Sequence, residues 1–252
     1  MTGLDALLPH PATDLTDAQL LETYAPERTP WLRMNFVASL DGAATREGRA
    51  GGLGGTADER VFDLLRWWAD VVLLGAGTVR DERYGAMRLP AEAEAWRVRQ
   101  GLAPQPVFAL VTQRLVLDPA SPVFTAAPVT PLLFTVATAP ADRRAALAEV
   151  AEVIDVGEER VDLARVLEEL HRRGHGRIHS EGGPTLFGSF LAAGLVDELC
   201  LTLAPTLQAG PAPRIAHAAQ EVPATMRLAG MLRSGDELLL RYTRRVSDEG
   251  AL

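Results

Sequence analysis

Lysine is missing altogether: all 25 basic residues of this 252-residue chain are arginine. That excludes a Walker loop, whose lysine reaches the nucleotide phosphates. It also excludes Schiff-base chemistry, pyridoxal phosphate included, because both need a lysine amine. An anionic ligand must therefore be held by arginine, backbone N–H groups or hydroxyls. Cysteine is nearly as scarce. Cys200 stands alone, so neither an internal disulfide nor a thiolate zinc site can form, and the two-cysteine zinc pattern of nucleobase deaminases cannot exist. In the apolar run Leu199-Cys200-Leu201 it reads as buried packing rather than a nucleophile. No run approaches the roughly 18 to 20 apolar residues of a membrane span, and Met1–Asp5 lacks the basic start of a secretory signal. A cytoplasmic protein is expected. Positive charge is in deficit as well: 33 acidic side chains give a net charge of −8, which argues against nucleic acid or an anionic membrane as partner. No Gly-x-Ser-x-Gly elbow occurs, so a hydrolase triad has no anchor.

What is present is ordinary for a soluble globular protein: 47% apolar and 23% charged residues, in a chain long enough to bury a full core. Strands are expected at Leu32–Ala38, Val71–Leu74, Val107–Val111, Leu132–Val136, Val153–Val156, Arg177–His179 and Glu198–Leu203. Two more, Met226–Leu232 and Glu237–Tyr242, flank Arg233-Ser234-Gly235-Asp236, which reads as a hairpin turn. Helices are expected at Asp58–Trp68, Glu92–Gln100, Ala141–Val150, Leu163–Arg173 and Thr185–Ala193. Strands alternating with helices give an α/β fold on a mixed, mostly parallel sheet, with the closing hairpin antiparallel. Residues 1–30, with one short helical pattern from Asp14 to Glu22, read as an N-terminal extension lying on the domain rather than in its core; residues 31–252 read as a single domain. The strand Leu199–Leu203 suits the core or an interface equally.

Two loops carry the strongest chemical signal. In Val71-Val72-Leu73-Leu74-Gly75-Ala76-Gly77-Thr78 a buried strand runs into Gly-x-Gly and a helix-start hydroxyl, a pattern that lets backbone approach a phosphate. A Rossmann fingerprint is a poor match. Its third glycine position holds Arg80, and the next strand ends Val111-Thr112-Gln113-Arg114 without the expected acid. An arginine such as Arg114 at that strand end suits the 2′-phosphate of NADP. The second loop, Ser180-Glu181-Gly182-Gly183-Pro184-Thr185-Leu186, follows a short strand and opens a helix, with Pro184 in the first turn. Either loop alone could be a plain turn. In a parallel sheet, however, both follow strand C-termini and face the edge where open α/β folds bind ligands. A third segment, Ser39-Leu40-Asp41-Gly42, leads into a glycine-rich stretch ending at Thr56, which suits a binding flap or a surface loop. His171, His175 and His179 are spaced four apart, but Gly174 and Gly176 break that helix, so no metal site is expected.

Taken in order, Ser39-Leu40-Asp41-Gly42, Leu65-Arg66, Ala69-Asp70, Gly75-Ala76-Gly77-Thr78-Val79, Glu181-Gly182-Gly183-Pro184-Thr185-Leu186 and Gly194-Leu195-Val196-Asp197-Glu198-Leu199 resemble the pyrimidine reductases of riboflavin biosynthesis. These are the relatives of the C-terminal half of bifunctional RibD. The resemblance spans about Trp31 to Tyr242 and implies a dihydrofolate-reductase-like fold. It also implies NADPH as cofactor, a phosphorylated pyrimidine as substrate, and a homodimer. Gly75, Ala76, Gly77 and Thr78, with Gly182, Gly183, Pro184, Thr185 and Leu186, match the family's cofactor loops, and Thr112 and Arg114 lie on the same side. Asp41 and Glu181 match acids facing the substrate, with Glu181 toward the pyrimidine amines. Asn35, Ser39, Thr56, Glu82 and Arg88 fall on the substrate side, Arg88 near the substrate phosphate. A carboxyl group in such a pocket is expected to have a raised pKa and to assist proton movement.

Two departures fall on the substrate side. Bifunctional members often have lysine where this chain has Asn35, and the family's Asp-Asp-Pro is here Glu82-Arg83-Tyr84. No deaminase half is expected in this chain, so the resemblance implies the reductase step alone. Two alternatives remain: the same fold reducing another substrate such as dihydrofolate, or a non-catalytic NADPH-binding protein.

Overall fold

The computed structural model describes residues 3–245. Its strands are β1 (Asp5–Leu8), β2 (Trp31–Ser39), β3 (Val71–Gly75), β4 (Val107–Val111), β5 (Leu132–Thr135), β6 (Glu152–Asp155), β7 (Arg177–Ser180), β8 (Glu198–Ala204), β9 (Met226–Ser234) and β10 (Glu237–Arg244). The helices are α1 (Asp17–Thr23), α2 (Thr56–Trp68), α3 (Ala76–Asp81), α4 (Ala91–Arg99), α5 (Pro122–Thr125), α6 (Ala141–Ala148), α7 (Leu163–Arg172) and α8 (Pro184–Ala192). All ten strands join one sheet in the order β1-β9-β10-β8-β2-β7-β3-β4-β5-β6. From β8 to β6 every neighbouring pair is parallel, and β10, β9 and β1 add antiparallel strands at one end.

Local sequence explains most of this. Val71, Val72, Leu73 and Leu74 are all fully buried, as a central parallel strand covered on both faces requires. Along α7, Leu163, Val166, Leu167 and Leu170 form one apolar stripe, and the Asp162 carboxylate caps its start by accepting from Ala164 N–H at 2.9 Å. The stripe joins α8 residues Leu186, Phe187 and Phe190 in a core against one face of the sheet. The other face packs against α2 through Val61, Leu64 and Leu65. The hairpin turn is tighter than expected: β9 runs on through Ser234, leaving Gly235 and Asp236, with Gly235 at φ +58°, where glycine carries no steric cost. Leu199–Leu203 lies within β8, between β10 and β2; Cys200 and Thr202 on one face are buried, whereas Leu199, Leu201 and Leu203 on the other are half-buried.

The N-terminal segment departs from expectation. It supplies β1 as an edge strand on β9 and buries Leu4, Leu15, Leu20, Leu21 and Tyr24 in the second core. A capping box between Thr16 and Gln19 starts α1, and burial of that apolar set, rather than the segment's proline content, decides its placement. Cys200 is buried, as expected.

Candidate active site

The two glycine loops meet. β7 and β3 are neighbours in the sheet, and both chains leave it at the same rim. Gly75 N–H donates to Gly182 O at 2.9 Å. A Cβ added to Gly183 would stand 2.5 Å from Thr78 Oγ1, and one added to Gly75 would stand 3.9 Å from Gly183 N. Gly182 sits at φ +96° with Phe36 packed where a side chain would go, so only glycine fits; the Gly182–Gly183 peptide is cis. Gly75 and Gly183 are the N-caps of α3 and α8, and neither helix has a side chain capping its first N–H groups. Open N–H donors at two adjoining helix starts, with glycine at both caps and the Thr78 hydroxyl between them, fit a dinucleotide diphosphate. Thr185 is exposed beside them; Pro184 occupies the first turn of α8, and Ala76 and Leu186 are buried beneath.

Both acids depart from expectation. Asp41 accepts hydrogen bonds from Ser39 Oγ and from the backbone N–H of Ala209 (2.7 Å) and Gln208 (3.1 Å). These bonds lower its pKa to about 2, the Ser39 hydroxyl contributing most. Ser39 is itself buried and also accepts from Ala43 N–H at 2.9 Å, so it shapes the turn. Burial would raise the pKa of Glu181, but the Arg66 guanidinium outweighs it and holds the carboxyl at about 2. Arg66 grips Glu181 through Nε at 2.5 Å and Nη2 at 2.9 Å, a bidentate pair. Tyr84 Oη donates to Glu181 Oε2, the oxygen that Arg66 Nη2 also holds, at 2.9 Å. The raised pKa expected for a pocket carboxyl is thus overturned for both: each is ionised at neutral pH.

The remaining candidates fall into place unevenly. Glu82 Oε1 accepts from Ala50 N–H at 2.7 Å and so ties the glycine-rich stretch to the end of α3. Asn35 is half-buried on β2, and Thr56 is exposed at the first turn of α2. Arg88 is exposed, its guanidinium 3.4 Å from Ala126 O. Thr112 is buried, its hydroxyl accepting from Leu115 N–H at 3.0 Å, so it stabilises a turn. Arg114 is exposed just beyond β4. His171 ends α7 while His179 lies buried in β7.

Three residues of the site escape a reading of the sequence: Arg66, Tyr84 and His179. His179 is fully buried, its Nε2 lies 3.5 Å from Glu181 Oε1, and neither ring nitrogen has a hydrogen-bond partner among the described residues; burial lowers its pKa, so the ring is neutral. Arg66 stands in the last turn of α2, but Asp63, three residues before it and 3.7 Å from its Nη1, offers a local acid that masks the long-range pair with Glu181.

The family described as the RibD C-terminal domain matches residues 30–240. Over 182 residues the chain is 33% identical to the 2,5-diamino-6-ribosylamino-4(3H)-pyrimidinone 5′-phosphate reductase of Archaeoglobus fulgidus, covering 72% of this chain and 83% of that protein. The reductase of the same name from Methanothermobacter thermautotrophicus is 31% identical over 222 residues, covering 85% and 98%. Among solved structures, a pyrimidine reductase-like protein from Corynebacterium diphtheriae superposes with a TM-score of 0.82 at 27% identity, covering 92% of this chain and 100% of that one.

Proposed function

The chain belongs to the RibD C-terminal domain family, and from that premise we propose that it is an NADPH-dependent reductase converting the ribosylamino group of a diaminopyrimidine 5′-phosphate to the ribitylamino form. The observation that carries the reading is the meeting of two uncapped, glycine-lined helix starts at one rim, with the Gly183 Cβ position 2.5 Å from Thr78 Oγ1. When bound, NADPH supplies the hydride. The N–H groups of α3 and α8 would hold its diphosphate, with the Thr78 and Thr185 hydroxyls available beside them. Arg114, exposed just beyond β4, would hold the 2′-phosphate.

Both acids are ionised, so neither donates a proton in the resting site. Their task is electrostatic. When the sugar ring opens, the C–O bond breaks, the oxygen takes a proton from water, and the carbon–nitrogen bond becomes a cationic iminium. Hydride adds to that carbon and the nitrogen is left as a neutral amine, so each turnover consumes one proton. Exposed Asp41 and buried Glu181 stabilise the positive charge while it lasts. Asn35, Thr56 and Arg88 hold the substrate, Arg88 at its phosphate, and Glu82 positions the flap above it. We place the enzyme in the cytoplasm as a homodimer; Leu40 and Leu207, 60% and 75% exposed, offer apolar surface for a second copy.

An assay of NADPH absorbance with the diaminopyrimidine ribotide, then with dihydrofolate, tests the reading. Consumption with the pyrimidine alone is expected. Consumption with dihydrofolate alone would assign another substrate, and a nucleotide fluorescence change without consumption in either case would mark a non-catalytic binder.

A further inference from the structure

Glu181 has no room left for a substrate. A carboxylate offers about four acceptor positions. Arg66 fills two, at 2.5 and 2.9 Å, and Tyr84 Oη a third, at 2.9 Å. His179 Nε2, 3.5 Å from Oε1 and not hydrogen-bonded to it, covers the fourth sterically. The carboxylate side chain is 1% exposed. Of its neighbours, His179 is sealed and Arg66 is held by its bidentate grip, whereas Tyr84 is half-buried and so reaches the surface. Its ring stacks near Phe108, with centroids 6.3 Å apart and planes 21° apart. Its N–H donates to Val79 O at 3.0 Å, and Arg83 at φ +57° turns the chain just before it. Two residues upstream, Glu82 holds the flap at Ala50. The segment Glu82–Tyr84 therefore connects the flap, through Glu82, to Glu181, through Tyr84.

We propose that the Tyr84 hydroxyl is the substrate-selecting contact of the site: it donates its proton to Glu181 and accepts an N–H from an amino group of the pyrimidine. The inference rests on the reductase reading and deepens it. A hydroxyl that donates keeps lone pairs free to accept, and donation to a carboxylate polarises it into a stronger acceptor. The Glu181 charge thus reaches the pocket one atom away from the buried acid. Burial and the Glu181 charge both push the phenol pKa well above its usual value, so the hydroxyl stays protonated. A site built to accept an N–H leaves Tyr84 Oη unpaired when the ligand lacks it, which favours aminopyrimidines over their oxo analogues.

Steady-state kinetics of Tyr84→Phe against wild type, both checked by thermal melting, tests this. Phenylalanine keeps the ring and its stacking and removes the oxygen. KM for the diaminopyrimidine ribotide is expected to rise about tenfold, with kcat within about threefold and NADPH affinity unchanged. With one of two analogues, each lacking one ring amino group, the difference between variant and wild type should vanish. Tyr84→His, whose ring can donate to Glu181 and still accept, should recover part of the affinity. An unchanged KM in Tyr84→Phe, or an equal loss with both analogues and the full substrate, would overturn the assignment of Tyr84 alone. A wild-type enzyme that reduces no aminopyrimidine would overturn the reductase reading, and this inference with it.

Discussion

Two buried glutamates of this molecule are held by arginine in the same way but stand in different places in the sheet. Glu198 is fully buried on β8 and accepts from Trp31 Nε1 (2.7 Å), Arg33 Nε (2.8 Å) and Arg241 Nε (3.0 Å). Its arginines reach onward to the carbonyls of Thr23, Tyr24 and Ala25, so the cluster fastens the N-terminal segment to the sheet. Glu181 is held by Arg66 in the same way, but its cluster ends at a strand C-terminus beside the glycine loops, and one of its donors, Tyr84, reaches the surface. Burial penalises the charge of both, and nearby guanidinium groups still hold both pKa values down. Position in the sheet, not residue type or ionisation, separates the carboxylate that fastens the N-terminal segment from the one proposed to serve the site.

The largest effect that sharpens this contrast belongs to Glu198→Ala. Two largely buried guanidinium groups lose their counter-ion, a change that destabilises by about 3–5 kcal/mol. Denaturant titration should show it, while kcat per folded molecule stays at the wild-type value. A variant that is stable but inactive would erase the distinction. Glu181→Gln should do the reverse: turnover falls about a hundredfold with NADPH affinity nearly unchanged, as read by single-turnover kinetics and nucleotide fluorescence. A large loss of NADPH binding would move Glu181 to the cofactor side.

A smaller effect appears in acid. The folded pKa of Glu181, about 2, lies below its ordinary 4.5, so its contribution is complete above about pH 4.5 and is lost as pH falls toward 2. That contribution is of the order of 3 kcal/mol. Unfolding free energy measured between pH 5 and about pH 2 should fall less steeply in Glu181→Gln than in wild type. Some slope should remain, because the Glu198 pKa is also lowered. Identical slopes would mean that the Arg66 pair does not hold the carboxyl down.

Much of the fold was legible because apolar runs such as Val71–Leu74 and Val107–Val111 end at glycine or polar residues, and the α7 stripe repeats at helical spacing. The meeting of the glycine loops was legible too, since parallel strands bring their C-terminal loops to one rim. β1 was not, because four residues beside prolines carry too little pattern, and its partner β9 lies more than two hundred residues away. The ionisation of Glu181 was hidden for a similar reason: its partners Arg66 and Tyr84 are 115 and 97 residues distant. Sequence alone shows an acid in a pocket and suggests desolvation; the guanidinium that reverses the shift belongs to the tertiary structure.

The most direct test of the dinucleotide crevice is a fluorescence titration of NADPH into wild-type protein and Gly183→Ala. The added methyl group falls against Thr78 Oγ1, between the two helix starts, at a backbone φ of −88° that alanine adopts freely. NADPH affinity is expected to drop at least about tenfold with the melting temperature little changed. Equal affinity in the two proteins would show that the cofactor does not lie between these loops, and would contradict the account.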